Sequence, residues 1–282
     1  LDGTPDFDLT TDDVSTPTGP RARATEATLA ENPHVPRPVE KTLEDDDWRA
    51  EGAMTYLYRK GFDVYDVNNI LSAGALGQGR NRRLVPTRWS ITAVDDTVGQ
   101  YLHGQIRNAN TIDETQVWYN EYMGNRYWIV LTPGDWEFEL VEMKAPESVW
   151  NPLGETHYLA SAHEGYEGRT SYVEETAGAY YASRLGVLEH LVDIGRQAKC
   201  LVLREVTDDY WAPVGVWQVR EGVRNAFENP EGLPDALSGR YGEADTFRDA
   251  VTSVTQQLPV SLTALRRKSE MVAGLQTTLS DF

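Results

Sequence analysis

Between residues 115 and 144 the chain reads TQVWYNEYMGNRYWIVLTPGDWEFELVEMK, with apolar or aromatic residues alternating with polar ones and Met-Gly-Asn and Thr-Pro-Gly-Asp interrupting them. A period of two suits a pleated strand with one buried face, and Gly and Pro at the interruptions supply turns. Three antiparallel strands are expected here. Their apolar face requires a covering layer, which the flanking sequence must provide.

Helical patterns flank the run. Leu43, Ala50, Met54, Leu57 and Tyr58 recur near a 3.6-residue period before Gly61, predicting a helix over about 42–60. ETAGAYYASRLGVLEHLVDIGRQA predicts a second over about 174–198, EGVRNAF and ADTFRDAVTSVTQ two more, and SLTALRRKSEMVAGLQ a weaker amphipathic one. LVPTRWSIT reads as a β-rich run, with Asp95 or Asp96 as N-cap of the helix after it. CLVLREV reads as a buried strand and APVGVWQV as a short strand or turn, and a loop of about thirty residues precedes the 174–198 helix. The fold class is therefore α+β, an antiparallel β meander packed with several helices. One main domain covers 39–260, between an extended lead-in at 1–38, where TPTGPRAR and ENPHVPRP carry five prolines, and a helix with a tail at 261–282.

Apolar residues make up 40% of the chain and aromatic ones 10%, enough for a packed core. No apolar run is long enough to span a bilayer and LDGTPDFDLTTDD has no signal-peptide pattern, so a cytoplasmic protein without membrane contact is expected. Residue 1 is Leu rather than Met, so a segment upstream of Leu1 is expected. The single cysteine, Cys200, excludes an internal disulfide and a multi-cysteine zinc site within the chain, and its apolar neighbours predict a buried thiol. No metal or other cofactor is expected within these residues.

Formal charge is −18, from 44 Asp and Glu against 26 Lys and Arg, of which five are Lys. Such a balance opposes a broad cationic groove for duplex DNA, so any nucleic-acid contact should be local. In molar salt the Debye length falls to roughly 3 Å, and dense carboxylates then hydrate the surface without long-range repulsion. The composition reads as that of a protein of a high-salt cytoplasm.

The last seven residues, Gln276-Thr-Thr-Leu279-Ser-Asp281-Phe282, resemble the peptide that binds the sliding clamp PCNA. A single 3₁₀ turn would place Leu279 and Phe282 on one side to fill an apolar pocket, with Gln276 free to hydrogen-bond beside it. Arg266-Arg267-Lys268 is the densest basic run and precedes that tail.

Candidates for chemistry are fewer. Glu142 and Lys144 share one strand face after Asp135, similar to the acidic and lysine core of a nuclease superfamily in which carboxylates hold Mg²⁺. Arg88, Trp89, Asp95 and Asp96, with His103, Tyr180 and Arg184, could line a polar cleft or serve as caps and ion pairs. His157 and His163 share a loop with Glu155, Glu164 and Glu167, a divalent-metal composition without a recognised ligand spacing. GALGQGR lacks the Gly-Lys-Ser or Thr ending of a phosphate-binding loop.

Five separated runs carry a wider resemblance: VPRPVEK at 35–41, LVPTRWSITAVDD at 84–96, WEFEL at 136–140, AGAYYASRLGVLEHL at 177–191 and PVGVWQVREGVR at 213–224. Together they resemble the archaeal Nre family along nearly the whole chain. That resemblance implies a DNA-damage repair factor recruited to PCNA by a C-terminal peptide, here Gln276, Leu279, Asp281 and Phe282, with DNA as a further partner. It also implies a four-cysteine zinc module in the family's N-terminal region, for which this chain offers no ligands. A metal-dependent nuclease or other DNA-processing enzyme, and a non-catalytic interaction adaptor, are the alternative readings.

The acidic composition makes a direct prediction: raising NaCl from about 0.1 M to about 2 M should raise the thermal midpoint by several degrees as carboxylate repulsion is screened. A scanning-calorimetry midpoint that stays level or falls would contradict the high-salt reading.

Overall fold

The computed structural model describes residues 34–210, 215–228 and 238–275. Among them one sheet contains β1 (Thr115–Tyr122), β2 (Asn125–Thr132), β3 (Glu137–Lys144), β4 (Tyr158–Glu164), β5 (Lys199–Val206) and β6 (Ser238–Ala244). Their order is β4-β3-β5-β2-β1-β6.

The class is α+β, as read from the sequence, but the three strands of 115–144 do not form an uninterrupted meander. β1 and β2 pair antiparallel through the Met123-Gly124 turn, whereas β5 lies between β2 and β3, antiparallel to the first and parallel to the second. The reason lies in KCLVLREV. Cys200 and Val202 point into one apolar cluster, Leu201 and Leu203 into the other, so β5 is buried on both faces and takes a central place. The Thr-Pro-Gly-Asp connection then spans two strand spacings, about 10 Å, within reach of four residues. Cys200 is a buried free thiol whose pKa burial raises.

Both faces of the sheet are covered. On one side α1 (Arg37–Glu44), α2 (Ala50–Arg59), α3 (Val64–Ser72), α4 (Thr87–Ile106), α5 (Gly178–Asp193) and α6 (Trp217–Phe227) build the larger core over Phe138, Leu140 and Ile129. On the other, α7 (Phe247–Thr255), α8 (Leu262–Lys268) and α9 (Glu270–Ala273) pack over Val130, Val141 and Met143. None of the helices described is long and apolar enough to cross a membrane.

Several local expectations are corrected. The helix expected at 42–60 is two helices, because three successive aspartates at 45–47 break it and the Asp45 carboxylate accepts the Asp47 amide at 3.1 Å. α1 begins at Arg37, inside the stretch read as extended, and residues 1–33 lie outside the described residues. LVPTRWSIT is not a strand. Its Thr87 opens α4 directly after Pro86, and Ser90, Val94, Val98, Leu102 and Ile106 recur every four residues as its buried stripe. Burial of that stripe overrides the β-branched preference of Thr87, Ile91 and Thr92. Asp95 is consequently a mid-helix residue and not an N-cap.

The long loop contains β4, which pairs antiparallel with β3, and residues 217–219 of APVGVWQV begin α6, while 211–214 lie outside the described residues. β6, with Gly239 and Gly242, gave no apolar signal and forms an edge strand. The helix expected from 261 onward divides at Ser269, whose hydroxyl accepts the Val272 amide at 3.0 Å to cap α9.

Glu139 holds that junction to the sheet. Fully buried on β3, it accepts from Ser269 Oγ at 2.6 Å, Glu270 N at 2.8 Å and Met271 N at 2.9 Å. Nearby, His163 of β4 lies 3.0 Å from Glu137 and 3.2 Å from Glu270. The His163 hydrogen bond, with help from Lys199, holds the Glu137 carboxyl down to about 2 against the opposing effect of burial. The same bond raises the His163 pKa above its ordinary value of 6.5. Its stabilisation is therefore complete below about pH 6.5 and is lost as pH rises through the raised value, whereas that of Glu137 is lost only as pH falls toward about 2. His163→Gln should flatten the decline in the urea midpoint above pH 6.5 relative to wild type; parallel pH profiles for the two proteins would refute this role for His163.

Candidate functional site

Three long helices begin at one place. The first turns of α4 (Thr87, Arg88, Ile91), α5 (Thr176 to Ala179) and α6 (Gly215 to Val219) line a cavity of about 700 Å³ over the carboxyl ends of the parallel pair β3 and β5. Gly178 permits this convergence: a Cβ there would stand 2.7 Å from Val216 Cγ1 and 3.0 Å from Thr92 Oγ1. Among the described residues none of the three helices has a side-chain hydrogen bond capping its start. First-turn amides and the positive ends of three helix dipoles therefore face a common space.

The floor comes from strand register. Glu142 and Arg204 are direct cross-strand partners on the face below the larger helix layer, and their buried side chains form an ion pair. Arg204 Nε also donates to Asn125 Oδ1 at 3.0 Å, and Lys144 lies 3.4 Å from the second Glu142 oxygen. Glu175 at the rim is paired with Lys268 at 2.7 Å, which holds its pKa below the ordinary carboxylate value. Arg88 is exposed at the mouth, its guanidinium 5.4 Å from the Trp89 ring centroid, and has no ion-pair partner among the described residues. The lining holds three cations against two carboxylates, a local positive excess in a chain of charge −18.

Two buried polar atoms of lining residues lack partners among the described residues, Gln218 Nε2 and Thr176 Oγ1. Gln218 is fully buried and its other amide atom accepts from Tyr127 Oη at 2.9 Å. Ala177, between Thr176 and the first turn of α5, has φ 42° and ψ −126°, a conformation disfavoured for an L-residue.

The polar cleft expected around Arg88, Trp89, Asp95 and Asp96 is divided. Only Arg88 lines the cavity, and Trp89 is exposed beside it. Asp95 lies two turns further along α4, fully buried and ion-paired with Arg220 of α6. Burial raises its pKa, opposed by that guanidinium. Asp96 turns toward α5, 3.8 Å from Arg184, which donates at 2.7 Å to Glu164; Glu164 also accepts from Trp136 Nε1 at 2.9 Å. Tyr180 and Asp96 share a smaller pocket near this group, and His103 lies beside Trp136 with ring centroids 5.6 Å apart.

Glu142 and Lys144 do share a face, but the nuclease arrangement is not assembled. Asp135 is exposed at the opposite end of β3, roughly 20 Å away along the strand, and Glu142 is occupied by Arg204 and Lys144. The loop acids and histidines are likewise dispersed: Glu167 pairs with Arg107, Glu164 with Arg184, and His163 bridges Glu137 and Glu270. Among the described residues no three His, Cys, Asp or Glu side chains are grouped as metal ligands. Gln276, Leu279, Asp281 and Phe282 lie outside the described residues, and Lys268 of the basic run is the partner of Glu175.

Sequence reading missed Arg204, Gln218 and Thr176. Arg204 carried a signal, a charge on the same strand face as Cys200 and Val202 directly after the apolar run Cys200 to Leu203. Gln218 and Thr176 carried none.

Family models described as the N-terminal and C-terminal parts of archaeal Nre match residues 1–151 and 164–282. The chain is 66% identical over 285 aligned positions to a protein of Haloferax volcanii named DNA repair protein NreA, covering 100% of this chain and 66% of the relative. It is 37% identical to a DNA repair protein NreA of Archaeoglobus fulgidus, covering 96% and 64%, and 38% identical to a DNA repair protein NreB of that organism, covering 96% and 66%. The chain thus spans just under two thirds of the length of these curated relatives. No solved structure matches it.

The backbone at Ala177 yields a prediction. Relief of an unfavourable conformation worth roughly 1–3 kcal/mol exceeds the roughly 0.5–1 kcal/mol entropic penalty of glycine, so Ala177→Gly should stabilise the protein by about 1 kcal/mol in denaturant unfolding. A loss of stability would show that Ala177 is unstrained.

Proposed function

The chain belongs to the archaeal Nre family, and on that premise we propose that it is a DNA-damage repair factor recruited to the sliding clamp PCNA by Gln276, Leu279, Asp281 and Phe282. The observation that carries the repair reading is 66% identity along the whole chain to a protein named for DNA repair. The clamp reading is supported by the heptad's pattern of Gln, aliphatic and aromatic residues at the spacing of a single 3₁₀ turn.

The surroundings of the heptad suit this role. α9 is fastened to β3 through Glu139 and ends at Ala273, three residues before the heptad begins at Gln276. Two buried apolar side chains at roughly 1.5–3 kcal/mol each, with backbone bonds to the partner, are consistent with micromolar affinity, about −8 kcal/mol. A local DNA contact is supported by exposed Arg80, Arg83 and Arg88 near the start of α4. The abundant surface carboxylates suit work in a high-salt cytoplasm.

Calorimetric titration into the cognate PCNA at high salt should give a micromolar Kd for the wild-type chain, weakened at least tenfold in the Leu279→Ala, Phe282→Ala double variant. Equal binding by both proteins, or binding by neither, would remove the clamp assignment and leave the repair reading to stand on the relatives alone.

A further inference from the structure

We propose that the cavity at the starts of α4, α5 and α6 binds a 5′-phosphorylated nucleoside, its phosphate among the helix starts beside Arg88 and its base in the apolar part of the cavity against Trp217 and Trp150. This inference stands apart from the clamp-docking heptad and needs none of its residues.

The argument for the phosphate rests on the kind of group the cavity leaves unused. Gln218 Nε2 can only donate, and the Thr176 hydroxyl has a proton to give; both are at least nine-tenths buried and without partners among the described residues. A buried donor without an acceptor is unfavourable, so the cavity is completed by a group rich in acceptor oxygens. Three uncapped helix starts point the same way, since they present further amide donors and positive partial charge. Arg88 adds a full charge at the mouth that no described carboxylate neutralises. Glu142 is no obstacle, because Arg204 and Lys144 already compensate it.

The argument for the nucleoside rests on size and composition. A volume of about 700 Å³ far exceeds what a phosphate fills and falls within the usual range for small-molecule sites. Ile91, Val216, Trp217 and Trp150 make much of the remaining wall apolar and aromatic, a surface on which a planar base can stack. Such a nucleotide could arrive free or turned out of a DNA strand, and the chemistry of the site is the same for both.

The test uses the full chain and fluorescence or calorimetric titration with three probes: dTMP, thymidine, and a duplex bearing one unpaired thymidine opposite an abasic site. Arg88→Ala, whose side chain is exposed, should leave the melting temperature unchanged. Gln218→Leu provides a second variant, read only with its melt alongside. Saturable binding of dTMP at least tenfold tighter than thymidine, and weakened at least tenfold by Arg88→Ala, supports a free nucleotide as the ligand. Binding of the duplex with the same loss in Arg88→Ala, but weak binding of dTMP, supports a nucleotide presented within DNA. Equal affinities for dTMP and thymidine without tighter binding of the duplex, binding unaffected by Arg88→Ala, or no binding of any probe would overturn the proposal. None of these outcomes depends on the clamp titration, so either assignment can fail alone.

Discussion

The fold depends on burying β5 on both faces and both edges. A strand reading KCLVLREV has no side for water, so helices must cover each face and other strands must pair along each edge. That requirement separates β2 from β3, makes the sheet mixed, and brings Arg204 beside Glu142 at the end of the strands where three helices start. The cavity follows from a folding constraint on one apolar strand.

Three buried ion pairs tie the elements of the larger core together. Glu142 with Arg204 joins two strands, Asp95 with Arg220 joins α4 to α6, and Glu164 with Arg184 joins β4 to α5. Each pair is buried, where burying ions roughly offsets their attraction, so their net contribution to stability is small while removal of one partner is costly. Their effect is to fix which helix faces which strand. The three helix starts over β3 and β5 stay together because α4, α5 and α6 are each held by such a pair, with Gly178 allowing the closest approach.

The sequence disclosed what local pattern can carry. Alternation identified β1, β2 and β3, a continuous apolar run identified β5, the 3.6 period located α5 and α7, and the lone cysteine was rightly placed in the core. It misled where tertiary burial overrode local preference, as in α4, whose β-branched opening resembles a strand until its four-residue apolar stripe is followed to Ile106. It was silent on β6, a glycine-containing edge strand with little to bury. Of the cavity it revealed Arg88, Glu142 and Lys144 but assigned them to separate sites. The reason is physical: a phosphate cradle in a single loop leaves a glycine motif, whereas helix starts near residues 87, 178 and 217 are united only by the fold.

On the two proposals above, the cavity of the folded body takes the nucleotide and the C-terminal heptad takes the clamp, by separate contacts. Amide hydrogen exchange of the full chain with PCNA alone, with a nucleotide or nucleotide-presenting duplex alone, and with both tests this most directly. The account predicts protection of 276–282 by the clamp, protection of the first turns of α4, α5 and α6 by the nucleotide probe, and both together in the ternary mixture. Protection of the helix starts by the clamp alone, or no protection there by either nucleotide probe, would contradict it.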